Sequence, residues 1–169
     1  PYIAIPENNP EKPSPAKSLL PEREHPQTTY PKAYKYPAGT MISLNTADTA
    51  ELKKIPGIGT GIAKAISSYR NKLGGFYRVE QLQDISYIPD SLNKWFFNDD
   101  TPIRHIDINT AGIERLKGHP YLNFYQSKII IEYRKKKGKL HSLDQLALYE
   151  EFSEEDLELI KPYIRFENK

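Results

Sequence analysis

Ile55-Pro56-Gly57-Ile58-Gly59-Thr60-Gly61 places three glycines within five residues, between amphipathic segments at 47–54 and 60–72. Gly57 and Gly59 can take positive φ without steric penalty, so the turn can be tight and its backbone can approach another molecule closely. The turn opens a helix, whose first amides lack partners inside it and sit at the positive end of its dipole. The chemistry on offer is anion capture by main-chain N–H groups, with a phosphodiester as the fitting guest. Gly57, Ile58, Gly59, Thr60 and Gly61 are the candidate contacts. A tight loop between two packed helices would use the same glycines, so the turn alone does not decide.

The surrounding sequence is a repeat. Residues 42–82 lie on residues 106–146 without a gap, a shift of 106 − 42 = 64 positions. Asn45-Thr46-Ala47 matches Asn109-Thr110-Ala111, Tyr69-Arg70 matches Tyr133-Arg134, and Gln81-Leu82 matches Gln145-Leu146. Ungapped self-similarity of this kind means two copies of one supersecondary unit. Pro1-Tyr2-Ile3 echoes Pro162-Tyr163-Ile164, which suggests a chain beginning at the tail of an earlier copy in a longer protein.

The 169 residues form either one domain or two small ones, with 38% apolar residues and no run as long as a membrane span. There is no Cys, which excludes disulfides, thiolate metal sites and a thiol nucleophile. His25, His105, His119 and His141 are scattered without metal-ligand spacing, so no catalytic constellation emerges and a non-enzymatic role is expected. The net charge of +2 is small, but Arg134-Lys135-Lys136-Lys137-Gly138-Lys139 is a basic cluster. With Lys53, Lys54 and Lys128 it could extend a phosphate track, although basic residues at a helix end also suit the dipole. Glu150, Glu151, Glu154, Glu155, Asp156 and Glu158 coincide with a helix start, where carboxylates are stabilising.

Nine of the 14 prolines fall in residues 1–40, an extended linker whose Tyr30, Tyr34 and Tyr36 suit docking of its last third. Unit one covers 41–102 and unit two 103–169, each read as about four short helices. Asp48 with Glu51 caps the first helix, and Ile62, Ala63, Ile66 and Tyr69 face inward along the second. Gly74 and Gly75 stop that helix. Ile85-Ser86-Tyr87-Ile88-Pro89 reads as a second turn without glycines, before a helix capped by Asp90. Residues 103–108 have an extended character. In unit two, helices follow at 124–137, from the Ser142-x-x-Gln145 box, and from Ser153 with Asp156. Trp95-Phe96-Phe97 suits a core or inter-unit contact.

The succession of helix, glycine turn, second helix, Tyr-Arg, glycine and aromatic resembles the helix-hairpin-helix domain. More narrowly, Asn45-Thr46-Ala47, Ile55-Pro56-Gly57-Ile58-Gly59, Tyr69-Arg70, Gly74-Gly75-Phe76 and Leu82 resemble the ComEA-type competence proteins. The resemblance implies an all-α tandem of helix-hairpin-helix units and a DNA receptor, periplasmic or membrane-anchored, that acts in DNA uptake. It implies that the amides of Gly57, Gly59, Thr60 and Gly61 bind DNA phosphates, with Lys64 in support. It also implies a monovalent cation on the carbonyls of the Ile55–Gly59 turn. Unit two departs from the pattern, because Gly57, Gly59 and Gly61 become Tyr121, Asn123 and Tyr125. Tyr121 would be strained at positive φ and would block close backbone approach. Tyr121, Phe124 and Tyr125 then either fill a surface or interface groove or stack on a single strand. The expectation is phosphate-mediated binding of duplex DNA without sequence readout. The rival is a module that binds a protein partner through the degenerate unit.

Overall fold

Short polar caps and closely spaced glycines and prolines cut this chain into short helices. The computed structural model describes residues 34–166. The Pro-rich stretch before residue 34, with Tyr30, His25 and the Pro1-Tyr2-Ile3 echo, lies outside the described residues. Repeat one runs β1 (Ile42–Ser43), α1 (Thr49–Leu52), α2 (Thr60–Leu73), 3-10 helices Val79–Asp84 and Asp90–Trp95, and β2 (Phe96–Phe97). Repeat two runs β3 (Ile106–Asp107), α3 (Ile113–Lys117), α4 (Phe124–Lys137), a 3-10 helix Leu143–Gln145, α5 (Glu154–Ile160), a 3-10 turn Lys161–Tyr163 and β4 (Ile164–Arg165). Starts at 42, 49, 60, 79 and 90 recur 64 residues later at 106, 113, 124, 143 and 154. The two strand pairs are parallel, Ile42 against Phe96 and Ile106 against Ile164, so each repeat's end is tied to its beginning. Of the four strands only β3 lies in a stretch whose sequence has an extended character, 103–108, because two-residue bridges carry no periodicity.

The repeated residues are mostly scaffold. Asn45 bonds both backbone groups of Phe76, at 2.9 Å to its carbonyl and 2.7 Å from its amide. Asn109 does the same to Leu140 at 2.9 and 2.8 Å. Arg70 donates from Nη1 to the carbonyls of Leu44 (3.0 Å) and Ala47 (2.7 Å). Arg134 donates to Ile108 (3.3 Å) and Ala111 (2.6 Å). These guanidiniums clamp the second helix of each repeat to the loop before its first. Arg70→Met should therefore destabilise the fold by about 2 kcal/mol, because two partly buried carbonyls lose a charged donor. Urea unfolding measures this, and a loss below about 0.5 kcal/mol would contradict the clamp.

Asp48 caps α1 by accepting from the Glu51 amide, and Gly74 ends α2 at φ 94°. The helix expected to be capped by Asp90 instead starts on it, after Pro89. Each repeat is a pair of hairpins, and all four turns share one bond. Ile58 donates to Ile55, Ile88 to Ile85, Leu122 to His119 and Phe152 to Tyr149. Tyr87, at the glycine-free turn, has φ 70° and stands exposed.

One apolar core runs through both repeats, from Leu52, Ile55, Ile58 and Ile66 to Leu116, Ile130, Leu146 and Tyr163. Trp95 and Phe96 belong to it, while Phe97 is exposed. Polar groups lock the repeats together. Gln81 Nε2 donates to the hydroxyls of Tyr121 and Tyr163, both at 2.8 Å. Asp84 accepts from the hydroxyls of Tyr121 (2.5 Å) and Tyr69 (3.1 Å). Burial holds the phenols of Tyr69, Tyr121 and Tyr163 above the usual range, so they remain donors.

Candidate functional site

Ile55 and Ile58 are fully buried and pin the first turn from beneath, which leaves Gly57, Gly59, Thr60 and Gly61 on the surface. Gly57 sits at φ +88°, a conformation L side chains rarely adopt. Gly59 does not follow the expectation of positive φ. It is extended (φ −96°, ψ −177°) and serves as the N-cap of α2, a geometry open to any residue. A Cβ at Gly59 or Gly61 would meet nothing within 4 Å. Nothing among the described residues explains why these two positions lack a side chain.

Among the described residues no side chain caps the start of α2 at Gly59, and the first bonded amide of α2 is that of Ala63, which donates to the Gly59 carbonyl at 3.0 Å. Among the described residues, the amides of Gly57, Gly59, Thr60 and Gly61 therefore find no acceptor. Lys64 is exposed and makes no ion pair among the described residues. The site is a cluster of outward N–H donors with one ammonium beside it.

The opposite side of the turn is occupied. Lys35 Nζ donates to the carbonyls of Lys53 (2.5 Å), Ile55 (3.2 Å) and Ile58 (3.3 Å). Its neighbour Tyr36 docks as expected, donating its amide to the Lys54 carbonyl (2.8 Å) and its hydroxyl to Glu51 (3.4 Å). Tyr34 is exposed, edge-on to Tyr36. Lys35 escaped the sequence reading because it lies in the linker, 18 to 23 residues from the carbonyls it meets.

The second turn is built differently. Asn123 accepts from the Gln126 amide (2.9 Å), and Gln126 accepts from the Asn123 amide (3.0 Å), a reciprocal cap. The Tyr121 amide donates to His119 Nδ1 at 3.2 Å. Tyr121 and Asn123, the counterparts of Gly57 and Gly59, thus have their amides satisfied internally. The strain expected at Tyr121 does not arise, since among the described residues Tyr87 alone of the non-glycines has positive φ. Tyr121 is half-buried between the repeats, whereas Phe124 and Tyr125 are 51% and 69% exposed.

The basic residues divide. Arg134 is committed to the carbonyls of Ile108 and Ala111. Lys128 and Lys136 lie 3.8 and 3.6 Å from Glu132. Lys137 stacks over Tyr133 and Tyr149, and Lys54 over Tyr36. Lys53, Lys135 and Lys139 are exposed. Among the described residues no group of three or more His, Asp or Glu could hold a metal ion, and no helix is long and apolar enough to cross a membrane.

This architecture agrees with the comparisons. Residues 38–93 and 102–165 each match the helix-hairpin-helix motif family, and the chain belongs to it. The chain is ComEA-like: ComE operon protein 1 of Bacillus subtilis is 38% identical over 50 residues, which cover 30% of this chain and 24% of that protein. Endonuclease/exonuclease/phosphatase family domain-containing protein 1 is 28% identical over 130 residues in Danio rerio, covering 63% of this chain and 23% of that protein. The Xenopus laevis form is 26% identical over 145 residues, covering 71% and 26%. The chain thus spans about a quarter of the relatives it matches. No solved structure matches it.

Proposed function

We propose that this chain binds duplex DNA through its phosphates, without reading sequence and without catalysing a reaction. The observation that carries the proposal is the pair Gly59 and Gly61, which have free amides, open surroundings and no positive φ. A missing side chain with no internal reason points to a partner that comes within backbone distance, and unpaired N–H groups at a helix start select an anion. The backbone of a duplex supplies anions at regular spacing. ComEA-like character supports a place in DNA uptake, with the intact protein periplasmic or membrane-anchored.

Phosphate contacts carry no base information, so affinity should fall steeply with salt and hardly vary with sequence. Lys64→Ala should reduce the log–log salt slope by about 0.9, one phosphate's worth. Fluorescence anisotropy with a random-sequence duplex at several salt concentrations measures the slope. An unchanged slope and affinity would remove Lys64 from the interface. A second reading follows from exposed Phe124 and Tyr125 beside the closed second turn, which suit a protein partner. Binding to that partner should survive substitution of Gly59.

A further inference from the structure

We infer that Lys35 is a built-in cation of the first turn, standing where a separate monovalent ion would otherwise hold the turn carbonyls. An ammonium has three protons, and here three carbonyls receive them, those of Lys53, Ile55 and Ile58. The carbonyls come from both ends of the turn, so one charge draws the end of α1 and the start of α2 together. The donor set suits a cation, but a second one beside this ammonium would meet like-charge repulsion at close range. The arm that carries Lys35 is fastened to the same turn through Tyr36, whose amide bonds Lys54 at 2.8 Å and whose ring lies under Lys54 Nζ at 5.6 Å. A tethered cation has a high local concentration and needs none from solution.

The arrangement also orients the anion donors. The Ile58 carbonyl and the Gly59 N–H belong to one peptide, and no peptide bond among the described residues is cis. A trans peptide points its oxygen and hydrogen in opposite directions. Lys35 holds the Ile58 oxygen inward at 3.3 Å, and the Gly59 N–H consequently faces out. The same contact polarises that peptide and strengthens its donor. Lys35 is thus a positioning residue for the phosphate site, and this consequence rests on the DNA-binding reading. Its replacement of an ion does not.

The test uses Lys35→Met, which keeps the stem and removes the charge. Duplex affinity is measured in potassium, sodium and tetramethylammonium chloride at one ionic strength. The methyl-covered ion has no bare surface to offer three carbonyls. Wild-type affinity should not depend on the cation. The variant should bind about tenfold more weakly in tetramethylammonium and recover in potassium or sodium, a coupling of ordinary size. A general loss of charge would weaken binding equally in all three salts. Thermal unfolding without DNA gives an independent readout: potassium should raise the variant's midpoint over tetramethylammonium and leave the wild type unmoved. If neither chain binds duplex in any salt, the DNA reading fails and the unfolding comparison alone decides the role of Lys35. The inference is overturned if the variant is indifferent to the cation, or if the wild type itself depends on it.

Discussion

Gly59→Asp should reduce DNA affinity by about a hundredfold or more while leaving the fold as stable as the parent or slightly more so. The residue is the N-cap of α2, extended, with no neighbour within 4 Å of a new Cβ. Asp is a better N-cap than Gly by a few tenths of a kcal/mol, and a carboxylate suits the positive end of the dipole. Its oxygen would accept from the amides of Gly61 or Ile62, the donors that the phosphate would otherwise take. Losing two charge-assisted bonds, each worth about 1.5–3 kcal/mol, accounts for the hundredfold even before repulsion is counted. Asn123 already does this to the second turn, where its side chain occupies the Gln126 amide. Gly59→Ala makes the milder case, blocking close approach without adding charge. Anisotropy and urea unfolding on the same preparations separate the two effects. Undiminished binding by Gly59→Asp would reject the site.

Acid should loosen the inter-repeat seam through His119. Its ring is 3% exposed and lies 4.8 Å from the Tyr163 ring and 5.6 Å from the Tyr121 ring. Nε2–H donates to the Leu73 carbonyl at 3.1 Å, and Nδ1 accepts from the Tyr121 amide at 3.2 Å. The neutral tautomer satisfies both bonds, whereas a proton on Nδ1 would confront an N–H. Burial, opposed by the Leu73 carbonyl and aided by the Arg115 charge, lowers the pKa from 6.5 to about 4. Between pH 6.5 and 4 the unfolded chain binds this proton and the folded chain does not, so stability rises with pH across that window. Acidification through it should remove about 1.4 kcal/mol per pH unit at most, or about 3 kcal/mol in all. Below the folded pKa the loss levels off. His119→Gln keeps a donor but does not titrate, so its stability curve should lack this component. Parallel curves for the two chains between pH 6.5 and 4 would contradict the assignment.

The glycine turn was legible because the local sequence sets the local backbone. Pro56, the glycines and the buried Ile55 and Ile58 together specify a tight bend with an exposed crest. At Gly59 the freedom of φ goes unused, and the close approach read from the sequence rests on the open space outside it. The repeat and its caps were legible for the same local reason, as Asp48 and Gly74 show. The Asn123-x-x-Gln126 box that closes the second turn carries a capping signature legible in the sequence. Arg134 read as part of a basic run, and only the position of the Ile108 and Ala111 carbonyls gives it a scaffold role. Lys35 and the two-residue strand pairs depend on contacts between distant parts of the chain, which no periodicity announces.

The central claim is that the crest of the first turn offers its unpaired amides to a nucleotide backbone. Amide resonances of the isotope-labelled chain, followed as a random-sequence duplex is added, test it most directly. Large, salt-sensitive shifts are expected at Gly57, Gly59, Thr60 and Gly61, with Asn123 and Gln126 almost unmoved. Shifts concentrated on Phe124 and Tyr125, or none at the first turn, would contradict it.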